Sequence, residues 1–189
     1  PPPVLFVEGD LQAIAALGVA VVGTRRCTAY GAAIARDLGA RLAAAGQTVV
    51  SGLALGIDGE AHRGAVAKGR TVAVLAHGLA HTAPLRHTAL RRRIVETGGA
   101  VVTTWPDAVE PRPWLFPLRN RWIAALSSHV VVVEAPRRSG AMHTVEAGLD
   151  LQREIWAVPG RIGSTSDGCN HLLSDGAHAL SSVPDFVGV

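Results

Sequence analysis

Six short runs of β-branched and small apolar residues recur along the chain, each separated from the next by a stretch of helical length. They occupy residues 19–22, 48–50, 71–75, 100–103, 129–133 and 155–158. None alternates strictly between apolar and polar residues, so each reads as a strand buried on both faces, the condition of a parallel sheet. The segments between them are rich in Ala. Over residues 30–45, Ile34, Leu38 and Leu42 recur four apart on one helical face, and Gly46 follows where a C-terminal capping glycine belongs. This alternation predicts an α/β fold, a doubly wound, mostly parallel sheet with helices on both faces.

Composition narrows the possibilities further. A chain of 189 residues, 48% hydrophobic, can bury its own core as one domain without a metal or disulfide staple. With 4% aromatic residues, that core must be built from Ala, Val, Leu and Ile. The apolar content and the 17% charge exclude disorder. Its longest apolar runs, about five to eight residues, are too short to cross a bilayer, so no membrane partner is expected. The start, Pro1-Pro2-Pro3-Val4-Leu5-Phe6, has neither the basic nor the apolar region of an export signal. Cys27 and Cys169 lack the spacing of a disulfide framework or a metal knuckle and read as free thiols in a reducing cytosol.

The net charge is +3, and every basic residue except Lys68 is an arginine. Guanidinium forks suit phosphate, although a GC-rich coding bias gives the same preference. A charge this modest does not establish a nucleic-acid partner, so position decides. Arg91, Arg92 and Arg93 read as the solvated basic face of a helix. Residues 106–117, with four prolines, read as an ordered connecting loop.

In open parallel sheets, ligands bind beyond the carboxyl ends of the strands. After the first run comes Gly23-Thr24-Arg25, where glycine permits close approach of backbone to an anion and Arg25 adds charge. Neither a dinucleotide fingerprint nor a P-loop is present. After the second comes Ser51-Gly52, with Asp58 placed to cap a helix and His62 beyond it, either a ligand or base or a hydrogen-bonded structural histidine. Arg119-Asn120-Arg121, read as the start of a helix, offers two guanidiniums and an amide to a phosphate. A fourth loop holds Arg137, Arg138 and Ser139-Gly140, and a fifth Pro159-Gly160. Such convergent donors describe a pocket for a phosphate-bearing ligand. Catalytic machinery is harder to find: Glu134 and Glu146 have no evident carboxylate partner, and the histidines lack metal-ligand spacing. The residues predict binding, with no catalytic group, metal or cofactor.

Taken in order, several segments resemble the DNA-processing protein A family (DprA, also called Smf). They are Val21-Val22-Gly23-Thr24-Arg25, Ser51-Gly52-Leu53-Ala54-Leu55-Gly56-Ile57-Asp58 with Ala61-His62, and Phe116-Pro117-Leu118-Arg119-Asn120-Arg121. Val133-Glu134-Ala135 with Ser139-Gly140, Ala157-Val158-Pro159-Gly160, Gly168-Cys169-Asn170-His171-Leu172-Leu173 and Asp175-Gly176-Ala177 complete the set. The similarity runs from about Pro2 to Leu180. It implies an extended Rossmann-like fold in a cytoplasmic bacterial protein that is not an enzyme. The implied role is a homodimeric recombination mediator that binds and protects incoming single-stranded DNA and helps load the RecA recombinase in natural transformation.

Carried over by position, Gly23, Thr24, Arg25, Ser51, Gly52, Arg119, Asn120, Arg121, Ser139 and Gly140 would hold the DNA. Trp114 and Phe116 are the candidates for base stacking, or else for core packing. Leu55 stands where the family commonly has a basic residue. The expected organisation is a lead-in over residues 1–14, a Rossmann-like DNA-binding domain over 15–180 and a tail over 181–189. Residues 141–151 are a candidate dimer surface. Two alternatives use the same pocket, a nucleotide-binding sensor and a nucleoside-monophosphate hydrolase of the related lysine-decarboxylase-like group. The hydrolase motif Pro-Gly-Gly-x-Gly-Thr-x-x-Glu corresponds here to Ser139 through Ala147, with Ala147 in place of its glutamate.

Overall fold

Alternating strands and helices are what the computed structural model contains, over the described residues 4–187. The first three residues of the expected lead-in and the last two of the expected tail lie outside them. The strands are β1 (Phe6–Gly9), β2 (Gly18–Val22), β3 (Val49–Ser51), β4 (Thr71–Val74), β5 (Ala100–Thr103), β6 (Ser127–Val132), β7 (Glu154–Ala157) and β8 (His178–Ala179). The helices are α1 (Ala29–Ala44), α2 (Ile57–Ala65), α3 (Thr88–Glu96), α4 (Leu115–Ala125), α5 (Met142–Asp150), α6 (Asp167–Ser174) and α7 (Val183–Val187). One sheet runs in the order β1-β5-β4-β3-β2-β6-β7-β8. Only β1 is antiparallel, with Phe6 opposite Thr103 on β5. The fold is therefore the doubly wound α/β arrangement expected, with the six predicted strands at its centre and one added at each edge.

Each buried strand feeds two cores because successive side chains leave opposite faces. On β2, Val19 and Val21 join Leu38 and Leu42 of α1, Ile57 and Ala61 of α2, and Val183 of α7. Ala20 and Val22 join Ile123 of α4, Val145 of α5 and Cys169 of α6 on the other side. A smaller cluster seats Leu90 and Ile94 of α3 against Ala73 and Val101. The sequence signals act as read at both ends of α1: Thr28 Oγ1 accepts from the Gly31 amide at 3.1 Å, and Gly46 takes φ +78° just past the end.

Where α1 and α2 cross, glycine brings backbone against backbone. A Cβ at Gly39 would overlap the Ala61 carbonyl, and one at Gly64 the Arg36 carbonyl. No flexible side chain is there to give way. Gly64→Ala is therefore expected to lower stability by about 1–3 kcal/mol through overpacking, read as a lower urea midpoint. An unchanged midpoint would show that the two helices can separate at no cost.

Two expectations are corrected. Arg91 is not on a solvated face. It is buried, with Nε donating to Glu8 Oε2 at 3.0 Å and Nη2 to the Leu79 carbonyl at 2.7 Å, while Arg92 and Arg93 are exposed. The proline-rich loop also ends earlier than read, because α4 begins at Leu115 and takes Pro117 into its first turn. Proline is tolerated there because a first-turn amide has no intrahelical partner to lose. Arg119, Asn120 and Arg121 accordingly lie in the second turn of α4, not at its start.

Candidate nucleic-acid interface

The chain winds from β2 through β3 and β4 to β5 in one direction, then resumes on the other side of β2 with β6 and β7. Beyond the carboxyl ends of β2 and β6, where the winding reverses, adjacent loops part and leave a crevice. A cleft of about 400 Å³ lies there, closed on one side by α4. Of the residues expected to hold DNA, Gly23, Thr24, Arg25, Arg119, Asn120, Ser139 and Gly140 line it. Ser51, Gly52 and Arg121 do not line it.

Physical reasons separate the two groups. Ser51 is fully buried and donates its hydroxyl to the Val21 carbonyl at 2.6 Å, so its side chain joins β3 to β2 beneath the cleft. The Gly52 amide donates to Asp58 Oδ2 at 3.1 Å, and a Cβ at Gly52 would overlap the Arg119 guanidinium. Arg121 is exposed, its guanidinium 5.2 Å from the Trp122 ring centre. About 200° of helical turn separates it from Arg119.

Arg119 lines the cleft but is only 3% exposed. Its Nη1 donates to the Gly52 carbonyl at 2.6 Å and to the Val74 carbonyl, and its Nε to Asn120 Oδ1 at 3.0 Å. The side chain thus fastens α4 to the ends of β3 and β4. Burial pushes its pKa down to about 10, with Asp58 opposing and Arg25 assisting, so it stays charged at neutral pH. Burial likewise raises Asp58, partly offset by Arg119. Asn120 completes the brace, its Nδ2 donating to the Gly140 carbonyl at 2.9 Å.

The exposed charge at the cleft comes from Arg25 and Arg138. Arg25 lies over the face of Phe116, 4.7 Å from the ring centre, and Arg119 approaches the same ring at 6.0 Å. Phe116 therefore serves as a platform for guanidinium, whereas Trp114 is 64% exposed and lies outside the cleft. Fewer backbone amides are free than the glycine-rich loops suggested. Thr24 N–H donates to the Glu134 carbonyl at 2.7 Å and Arg26 N–H to Thr24 Oγ1 at 3.2 Å. Sequence reading counts the Arg137-Arg138 loop among the donors without placing Arg138 in the site, does not single out the lining residue His143, and marks Asp58 as a helix cap rather than as counter-charge to Arg119. The adjacent arginines in a strand-to-helix loop were the available signal for Arg138.

Groups that could have done chemistry are engaged elsewhere. Glu134, 1% exposed, accepts from Thr28 N–H at 3.0 Å, from Thr28 Oγ1 at 2.9 Å and from Thr165 Oγ1. Thr71 Oγ1 gives its proton to the Val49 carbonyl, so it accepts from His62 Nδ1–H at 2.8 Å, leaving Nε2 to accept from Leu53 N–H at 3.3 Å. His87 Nδ1 donates to the Leu53 carbonyl at 2.9 Å. Leu53 has φ +56°, so two buried imidazoles hold both ends of a strained residue. His62 is thus the structural histidine. Leu55 is half-buried and does not line the cleft.

An open, mostly parallel α/β sheet with an arginine-lined cleft at its switch point defines a Rossmann-like fold. The chain belongs to the DNA recombination-mediator protein A family, whose model matches residues 1–188. It is 44% identical to Protein Smf of Escherichia coli over 188 residues, 98% of this chain and 50% of that protein. The crystal structure of DNA processing protein A from Streptococcus pneumoniae superposes with TM-score 0.89 at 37% identity, covering 97% of this chain and 65% of that one. DNA processing protein A from Helicobacter pylori, described for its single-stranded DNA binding mode, superposes with TM-score 0.93 at 30% identity, covering 100% of this chain and 86% of that one. The chain spans about half the length of the E. coli relative. Among the described residues, no helix is long and apolar enough to cross a membrane.

Proposed function

We propose that this protein binds single-stranded DNA in the cleft between the β2 and β6 loops and acts in the bacterial cytoplasm as a recombination mediator. It protects incoming strands during natural transformation and helps load the RecA recombinase. The observation that carries this reading is the charge at the cleft: Arg25, over the Phe116 ring, and Arg138 line it exposed, the buried Arg119 adds its charge, and Asp58 is the one carboxylate that lines it among the described residues. Guanidinium contacts to phosphate are indifferent to base sequence, as a protector of arbitrary strands requires. The role is binding without catalysis, consistent with the engagement of Glu134 and His62 in structural hydrogen bonds. Glu146, one position from the place of the hydrolase glutamate, is exposed and lies 3.3 Å from His143 Nδ1 outside the cleft lining. A homodimer formed through residues 141–151 is supported by Leu149 and Leu151, 61% and 41% exposed at the end of α5.

The test is fluorescence anisotropy of labelled poly-dT at several salt concentrations. Three or four phosphate contacts predict a log–log slope of roughly −2 to −3. Arg25→Ala is expected to weaken binding about tenfold and flatten that slope by about 0.7, equally for all sequences. Absence of binding at low salt, with stabilisation by mononucleotides in a thermal-shift assay, would favour the sensor reading instead.

A further inference from the structure

Three neighbouring loops carry five arginines, and their one carboxylate is the buried Glu134, engaged by Thr28 and Thr165. Residues 23–30 hold Arg25 and Arg26, residues 133–141 hold Arg137 and Arg138, and residues 159–166 hold Arg161. All five are exposed, and none forms an ion pair among the described residues. By contrast, Arg36, Arg41, Arg92 and Arg112 on other faces each pair with a carboxylate. The loops follow β2, β6 and β7, which are adjacent and parallel, so all three leave the carboxyl end of the sheet. At about 4.8 Å per strand they spread over roughly 10 Å. The cleft draws on the first two loops only.

The third loop is braced. Gly160 exchanges two hydrogen bonds with the Asn170 side chain, at 3.1 and 3.0 Å. Gly163 N–H donates to Asp167 Oδ1 at 2.9 Å. Thr165 donates to the buried Glu134 carboxylate that also takes two hydrogen bonds from Thr28, tying this loop to the one after β2. From this fixed base project Arg161 and Ile162, the latter 88% exposed.

We infer that the polynucleotide site continues past the cleft onto this loop, where Arg161 neutralises a further phosphate and Ile162 lies against a sugar or base. The inference rests on the single-stranded DNA reading above. It is tested by anisotropy with oligothymidylates of about 4, 8 and 12 nucleotides, within the range of known single-strand site sizes. The proteins are the parent, Arg161→Ala, Ile162→Ser and, as a control away from these loops, Arg93→Ala on α3. Arg161→Ala should match the parent on the shortest strand, lose about fivefold on the longest and flatten the salt slope there by about 0.7. Ile162→Ser should weaken binding to the longest strand with no change of slope. Arg161→Ala binding like the parent at every length and salt overturns the extension and leaves the cleft standing. Equal loss at all lengths overturns it too, placing Arg161 at the cleft. A parent that binds no strand at low salt overturns the underlying reading.

Discussion

Arg119→Ala is expected to lower the free energy of unfolding by about 3–5 kcal/mol, the cost of leaving one half of a buried charged group without its partner. Gly52 and Val74 would each lose a donor to their carbonyls, and Asp58 would lose the cation that offsets its burial. Against a usual total of about 5–15 kcal/mol, that loss removes much of the folded population. Lysine should rescue it poorly, because an ammonium cannot reproduce the planar fork that spans these acceptors. Urea unfolding of the parent, Arg119→Ala and Arg119→Lys checks both expectations. An alanine variant with the parent's midpoint but no affinity for DNA would instead make Arg119 a ligand contact.

The second large effect is acid lability. Burial pushes His62 down to about 3, with His87, Arg119 and Arg63 adding to the shift. At pH 7 the imidazole is neutral both folded and unfolded, and its contribution is complete. Below the unfolded value of about 6.5, the unfolded chain takes up a proton that the folded chain refuses, so stability falls as pH falls. The loss reaches about 3 kcal/mol at pH 4. His77, also lowered by burial, acts in the same direction, whereas Asp58, held above its usual range, opposes it. Urea midpoints from pH 7 to pH 4 should drop steeply for the parent. For His62→Gln they should start lower and fall less. A flat midpoint for the parent would mean that His62 is not locked neutral.

Both predictions concern residues whose role was only partly legible in the sequence. The six central strands could be read because burial on both faces leaves an uninterrupted apolar run, as in residues 129–133. Phe6–Gly9 and His178–Ala179 could not, since an edge strand of four or two residues owes its state to its neighbour rather than to its own pattern. Strand order and the placement of α4 brought seven of the ten candidate residues to one cleft. What sequence could not convey was how far each side chain was already committed. Nothing in Arg-Asn-Arg says that the first arginine is enclosed and the third is free. Nothing near Arg91 announces Glu8, 83 positions away. A proline in the first turn of α4 looks the same as a proline in a loop.

The seam between α1 and α2 divides the variants of this protein into two populations that one assay of function would confuse. Changes at Gly39 or Gly64 have no neutral direction, because every other side chain begins with the atom that does not fit. Such variants would fail by scarcity, cleared as unfolded chain before any ligand is met. Changes at the arginine-bearing loops leave the interior untouched, and they would accumulate at normal levels with weakened binding. In a library scored for both abundance and retained binding, seam and rim should therefore separate along different axes.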